Sequence, residues 1–219
     1  VRLLFIGAPG AGKGTQAKRL AEEHGVPHIA TGDILREAIR QGTPVGREAQ
    51  PYIAAGGLVP DDVMIRVIEE RFARPDVAGG YVLDGFPRTL AQAEALERML
   101  ARLGRPLDRV FLLECPEGTV LDRITGRRTC EVCGMPYHVR HRPPRREGVC
   151  DRDGRRLVQR EDDTEPKARR RLEKYRAETA ALVPFYEARG LLRRVDASRS
   201  PEEVYREIRS AVGRAGGGG

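Results

Sequence analysis

Residues 5–20 read FIGAPGAGKGTQAKRL, and the fold follows from how this stretch is parsed. Leu3, Leu4, Phe5 and Ile6 form an unbroken apolar run, the pattern of a strand buried on both faces. From Gln16 onward, Ala17, Leu20 and Ala21 recur at helical spacing. The turn between them places Gly7, Gly12 and Lys13 in the phosphate-binding pattern GxxxxGK, followed by Gly14 and Thr15. Glycines let the backbone curl so that successive N–H groups converge on one anion, and the following helix adds the positive end of its dipole. The chain holds 35 arginines and four lysines. A lysine at this position is therefore a departure from the chain's habit, and it suits the place: an ammonium is a compact point charge, whereas a guanidinium is broad and planar. The usual pattern has Ser or Thr directly after the lysine. Here Gly14 intervenes, so Thr15 is expected to meet a phosphate or Mg²⁺ differently.

Working outward, the apolar runs PHIA, YVLD, RVFLLE and LLRRVD alternate with helical patterns that begin near Lys13, Thr31, Asp61, Thr89, Glu117, Pro166 and Pro201. Five strands alternating with helices imply an α/β fold, a parallel sheet flanked on both faces. Thr31, Asp61 and Thr89 are candidate helix caps. Pro184 is expected to end or kink the helix carrying Leu172, Tyr175, Thr179 and Leu182. The terminal GRAGGGG reads as a disordered tail.

The 219 residues suit one sizeable domain with insertions. No apolar run approaches 18 residues and no charged-then-apolar leader opens the sequence, so a cytoplasmic protein without a membrane partner is expected. A formal charge of +7 invites a nucleic-acid reading, but 5% aromatic residues and no Trp leave little for base stacking. Polyanionic small substrates account for the charge equally well.

One segment breaks the alternation. From about 126 to 163 the chain holds three of its four cysteines, ten arginines and no lysine, and reads as a small inserted subdomain. Cys130 and Cys133 form a CxxC knuckle followed by Gly134. After 16 intervening residues, Cys150 and Asp153 repeat that spacing, followed by Gly154. Three thiolates and a carboxylate suit tetrahedral Zn²⁺, whose binding would supply folding free energy that a short polar segment lacks. His138 and His141 remain alternative fourth ligands. A redox CxxC would open a helix after a strand, which CEVCGMPYH does not, and a disulfide is not expected in a cytoplasmic chain. Cys115 reads as a buried core residue.

YVLDGFPRT is the second informative stretch. Its strand ends at Asp84, and carboxyl ends of parallel strands face the ligand crevice, so Asp84 is expected beside the phosphate loop, able to hold Mg²⁺. Arg36, Arg88, Arg123, Arg127, Arg160 and Arg171 lie beyond strand ends or at the edges of the insertion. Taken singly, each reads more readily as a solvated surface charge.

Together GAPGAGKGT, TGDILR, GFPR, GRR and QREDD, in this order and spacing, resemble the adenylate kinases, specifically the long-lid form with a zinc-bearing lid. The resemblance covers essentially the whole chain and accounts for Gly14, since GKGT is the form this family uses. It implies a P-loop core at 1–29, 60–125 and 164–219, an inserted AMP-binding helical segment at 30–59 and a lid at 126–163. It places ATP phosphates on Gly10, Ala11, Gly12, Lys13, Gly14 and Thr15, and AMP on Thr31, Arg36, Gly57, Leu58, Val59, Gly85, Phe86, Pro87, Arg88 and Gln92. Arg123 and Arg127 would meet ATP, with Pro136, Tyr137 and the backbone at Arg199 near its base and ribose. Arg160 and Arg171 would close over the phosphates. The implied reaction is Mg²⁺-dependent transfer between ATP and AMP to give two ADP, by a monomer that binds no nucleic acid. Two rivals stand beside it: a kinase for another nucleoside monophosphate, and a zinc-ribbon nucleic-acid-binding module that uses the phosphate loop as a switch.

Overall fold

The computed structural model describes residues 1–55, 57 and 59–213. Leu58 and the glycine-rich tail beyond Gly213 lie outside the described residues. Strand β1 (Arg2–Gly7) is buried from Leu3 to its end, and it occupies the centre of the sheet. Helix α1 (Lys13–His24), strand β2 (His28–Ala30) and helices α2 (Thr31–Arg40), α3 (Pro44–Ala54) and α4 (Asp61–Phe72) follow. Then come β3 (Tyr81–Asp84), α5 (Leu90–Arg102), β4 (Arg109–Glu114) and α6 (Glu117–Thr125). Three short strands, β5 (Arg127–Cys130), β6 (Pro136–His138) and β7 (Leu157–Val158), precede α7 (Glu165–Glu178), α8 (Leu182–Glu187), β8 (Leu192–Asp196) and α9 (Pro201–Gly213).

The main sheet is parallel throughout, in the order β2-β3-β1-β4-β8. Leu4 faces Leu83 on one side and Val110 on the other. Alternate residues of each strand enter two separate apolar layers. Leu4, Ile6, Leu83 and Leu112 pack with Val67 and Phe72 of α4, Leu96 of α5 and Tyr186 of α8. Leu3, Phe5, Val82 and Phe111 pack with Leu20 of α1 and Ile208 of α9. The chain leaves β1 toward β2 and β3 on one side and later crosses to β4 and β8 on the other. The carboxyl ends of the central strands therefore open a crevice, and the loops carrying Lys13 and Arg88 lie over it.

The five strands expected from sequence are all present. Thr89 caps α5 as expected, accepting the Gln92 N–H at 3.2 Å. Thr31 and Asp61 are not caps: they are the first helical residues of α2 and α4, after Ala30 and Pro60. The long helix breaks before Pro184, at a 3-10 turn over Thr179–Ala181. Proline lacks the N–H and crowds the carbonyl four residues earlier, which is residue 180. Cys115 is half-buried, at the rim of the core. Helix α3 has no clean apolar period, since Gly46 and Pro51 interrupt it; its start is fixed by the Thr43 hydroxyl, which accepts the Gly46 N–H at 3.1 Å.

The insertion forms its own antiparallel sheet, order β6-β5-β7, standing between α6 and α7. Those helices pack on each other through Val120, Ile124, Ala168 and Leu172. Among the described residues no helix is long and apolar enough to cross a membrane.

Candidate active site

The loop between β1 and α1 turns at Gly12, whose φ of 97° lies in the left-handed region that side chains disfavour. The turn leaves the first N–H groups of α1 without helical acceptors and facing the crevice. Lys13 folds over the loop, its Nζ donating to the carbonyls of Gly7 at 2.8 Å and Ala8 at 2.9 Å. Burial pushes its pKa down to about 8, with Asp84 opposing and Arg88, Arg171 and Arg127 reinforcing the shift. Asp84 stands where the sequence places it. A Cβ built on Gly14 would lie 3.2 Å from its Oδ2, so a side chain at residue 14 would crowd the carboxylate against the loop.

The opposite wall carries Arg88. Its Nε donates to the Gly85 carbonyl at 2.9 Å and its N–H to Gln92 Oε1 at 2.8 Å. Burial pushes its pKa down to about 10, and the Arg171 guanidinium adds repulsion. Arg160 is likewise pushed down to about 10 by burial, with Arg36 and Arg127 adding to it. Acids balance part of this charge. Arg36 pairs with Asp33 at 2.5 Å. Arg127 makes a two-pronged contact to the fully buried Asp163, at 2.8 and 2.5 Å. Arg171 meets Asp162 at 2.9 Å.

One cleft, with an empty volume of about 1100 Å³ open to solvent, is bordered by Lys13, Thr31, Arg36, Gly57, Val59, Gly85, Pro87, Arg88, Gln92 and Arg171. Sequence reasoning missed Asp162, Lys174, Tyr175 and Thr179 on the same wall. The acid neighbours are visible in QREDD. Tyr175 and Thr179 show only helical periodicity in the sequence, yet Tyr175 on α7 and Thr179 in the turn that ends it border the cleft, where the Thr179 hydroxyl donates to the Arg88 carbonyl at 2.9 Å. Other expected residues lie apart from this lining. Arg123 donates to the Ala197 carbonyl at 2.8 Å. Arg199 pairs with Glu207 on the surface. Phe86 is buried in the core. Pro136 and Tyr137 belong to β6, and the Tyr137 hydroxyl accepts the Asp151 N–H at 2.8 Å.

In the inserted sheet the ligand atoms of Cys130, Cys133, Cys150 and Asp153 all lie within 4.8 Å of one another. The two knuckles are built alike. Gly134 donates to the Cys130 carbonyl at 3.1 Å and Gly154 to the Cys150 carbonyl at 2.9 Å, each with φ of 70°. Cys133 Sγ is 3.6 Å from Cys150 Sγ, and Cys130 Sγ is 3.4 Å from both Asp153 oxygens. Bonds of about 2.3 Å to a tetrahedral Zn²⁺ would set sulfur atoms about 3.8 Å apart, so the donor set is compatible with that ion. His138 and His141 turn instead toward Asp122.

A glycine loop and a group of cations at the head of a parallel sheet, bordering one open cleft, are the features of a phosphotransferase of the P-loop class. The adenylate kinase family model matches residues 5–191. An adenylate kinase of Moorella thermoacetica is 50% identical over 214 residues, covering 98% of this chain and 99% of its own. Those of Archaeoglobus fulgidus and Bacillus subtilis are 48% and 45% identical over 97% of this chain and 98% of theirs. The chain belongs to the adenylate kinase family.

Proposed function

We infer that the protein transfers the γ-phosphoryl of Mg·ATP to AMP, reversibly, giving two ADP. The observation that carries this reading is that the Lys13 loop and the Arg36 and Arg88 wall border one cleft, so two polyanions can be held face to face. The acceptor phosphate, with its second pKa near ~6, is largely dianionic at neutral pH and needs no general base. What the reaction needs is relief of repulsion and in-line placement. The cations supply both. Burial and mutual repulsion depress Lys13, Arg88, Arg160 and Arg171, so each gains most from an anion arriving among them.

In this reading Gly10, Ala11, Gly12, Lys13, Gly14 and Thr15 hold the ATP phosphates, and Arg123, Arg127, Pro136, Tyr137 and Arg199 lie toward its nucleoside. Thr31, Arg36, Gly57, Leu58, Val59, Gly85, Phe86, Pro87, Arg88 and Gln92 hold AMP, with Arg160 and Arg171 between the two. Asp84 is the carboxylate placed to hold the Mg²⁺ that arrives with ATP, directly or through water, and that ion would neutralise phosphate charge. Residues 30–59 and 126–163 move against a core of 1–29, 60–125 and 164–219, and closure excludes water as a competing acceptor. Cys130, Cys133, Cys150 and Asp153 hold a structural Zn²⁺, since four protein ligands leave no open position. The enzyme works as a monomer in the cytoplasm, on nucleotides rather than nucleic acid or membranes.

Purified protein given ATP, AMP and Mg²⁺ is expected to make ADP, and to lose that activity without Mg²⁺. Absence of ADP from folded protein would sink the reading, and equal rates with UMP, CMP and GMP would move it to a general monophosphate kinase.

A further inference from the structure

Asp61 opens α4 and spends both carboxylate oxygens on the start of α5. Its Oδ1 accepts from Gln92 Nε2 at 2.7 Å and its Oδ2 from the Thr89 hydroxyl at 2.9 Å. Gln92 Oε1 in turn accepts the Arg88 N–H at 2.8 Å. A carboxylate can only accept and a backbone N–H can only donate. The two ends of the Gln92 amide are therefore distinguished by chemistry: nitrogen toward Asp61, oxygen toward Arg88. A flipped amide would set oxygen against carboxylate and N–H against N–H. Gln92 is 1% exposed and borders the cleft with Thr31 and Val59. After its two internal bonds it retains one N–H and one oxygen lone pair.

We propose that Asp61 is a positioning residue for base selectivity: by fixing, together with the Arg88 N–H, the polarity of the Gln92 amide, it fits the cleft to a 6-aminopurine and against a 6-oxopurine. This rests on the reading that Gln92 faces the acceptor nucleotide. Adenine offers an N6–H donor beside the N1 acceptor, complementary to an amide's acceptor and donor. Hypoxanthine offers an O6 acceptor beside an N1–H donor, the reverse order. A fixed amide serves the first edge. A freely flipping one serves either.

The test measures ADP formation from ATP with AMP or with inosine monophosphate as acceptor, for the parent, Asp61→Asn and Thr89→Ala. Asp61→Asn keeps the shape but removes the carboxylate's half of the constraint, leaving the Arg88 N–H alone to oppose a flip of the Gln92 amide. Its AMP-to-inosine-monophosphate ratio of kcat/KM is expected to fall about tenfold or more, the lower end of what a bidentate amide–base pair discriminates. The fall should arise mainly in KM for AMP, with kcat at saturation within about threefold, because phosphates and cations are untouched. Thr89→Ala breaks the other half of the Asp61 contact and the helix cap. It should lower the melting temperature yet keep the parental ratio, which separates selectivity from stability. A parental ratio in Asp61→Asn overturns the proposal while leaving the AMP reading in place. A parent that takes both monophosphates alike overturns the AMP reading and the proposal with it. Should Asp61→Asn fold poorly, Asp61→Ser is measured for the same ratio: a tenfold fall supports the proposal, and a parental ratio overturns it.

Discussion

The parallel-sheet core and the insertion proposed as its lid bury different kinds of side chain within one chain. In the core, β1 and β4 bury Leu3, Leu4, Phe5, Phe111 and Leu112 between two helical layers, and Phe5 stacks on Phe111 with ring centroids 5.3 Å apart. In the lid, the buried cluster is Cys130, Tyr137, Cys150 and Leu157: two of its four members are candidate metal ligands. On the proposed reading the segment opens and closes, so it cannot merge its apolar surface with the core without being fixed there. It must be held together from within, and below about 40 residues apolar burial alone rarely suffices. A metal site meets that need with four side chains.

The largest expected effect is selective loss of the lid. Cys150→Ser, or prolonged treatment with a strong chelator, should release one equivalent of zinc and raise proteolytic cleavage within 126–163 by more than about tenfold, given that structural zinc contributes on the order of 10 kcal/mol. Melting of the core should move far less. Asp153→Cys should keep the metal, while Asp153→Ala should weaken it. A chelated protein whose lid resists protease as before would show that the sheet stands without metal.

The reverse perturbation addresses the core. Phe111 is fully buried beside Phe5, and Phe111→Ala should cost about 3–5 kcal/mol of global stability while zinc content stays at one per chain. Urea unfolding followed by circular dichroism and metal release together would check it. Simultaneous loss of metal at the first sign of core unfolding would mean that the two regions are one cooperative unit.

The same contrast explains what the sequence disclosed. The five core strands were legible because burial on both faces leaves uninterrupted apolar runs such as RVFLLE. The metal knuckles were legible because the Cys130 and Cys133 spacing returns at Cys150 and Asp153. The lid strands were not: Leu157–Val158 is two residues long and carries no periodicity. Helix α3 was hidden by Gly46 and Pro51. Lys13 and Asp84 could be placed in the crevice from the loop pattern and a strand end, whereas Arg88 taken singly could not be told from a surface charge until the family resemblance placed it. The ion partners Asp33, Asp162 and Asp163 could not, because which carboxylate meets which guanidinium is decided by the folding of α2 and α7 around the cleft.

Lys13→Arg tests the chemistry that the core carries. The ammonium sits between two loop carbonyls at 2.8 and 2.9 Å, a space that a planar guanidinium does not match. Displacing phosphates by about an ångström can cost on the order of 100-fold in rate, or about 2.7 kcal/mol of barrier. The fall should appear in kcat, with thermal stability near that of the parent. Retention of more than about a third of kcat, far above that 100-fold loss, would show that charge alone is enough at this position.

The smallest effect expected lies at the seam between the two regions, where His138 joins the lid to α6. Its Nε2 meets the Asp122 carbonyl at 3.1 Å, and its Nδ1 accepts the N–H groups of Arg140 and His141, both at 3.1 Å. These partners assign a neutral ring protonated at Nε2. Burial lowers the pKa of His138, and His141, Arg128 and Arg123 add to the shift. Because the folded-state pKa lies below the ordinary value of about 6.5, the stabilisation is complete above that value and is lost as pH falls from it through the lower folded-state value. Protonation places a hydrogen on Nδ1 and turns away both N–H donors. Asp122 still holds His141 at 2.6 Å and pairs with Arg140, so the seam loosens without parting. Amide exchange at Arg140 and His141, corrected for the intrinsic dependence of exchange on pH, should lose protection severalfold between pH 7.5 and 5.5, while β1 keeps its own. His138→Gln, which does not titrate, should flatten that dependence. Protection that holds steady across this window in the parent would mean that His138 does not govern the seam.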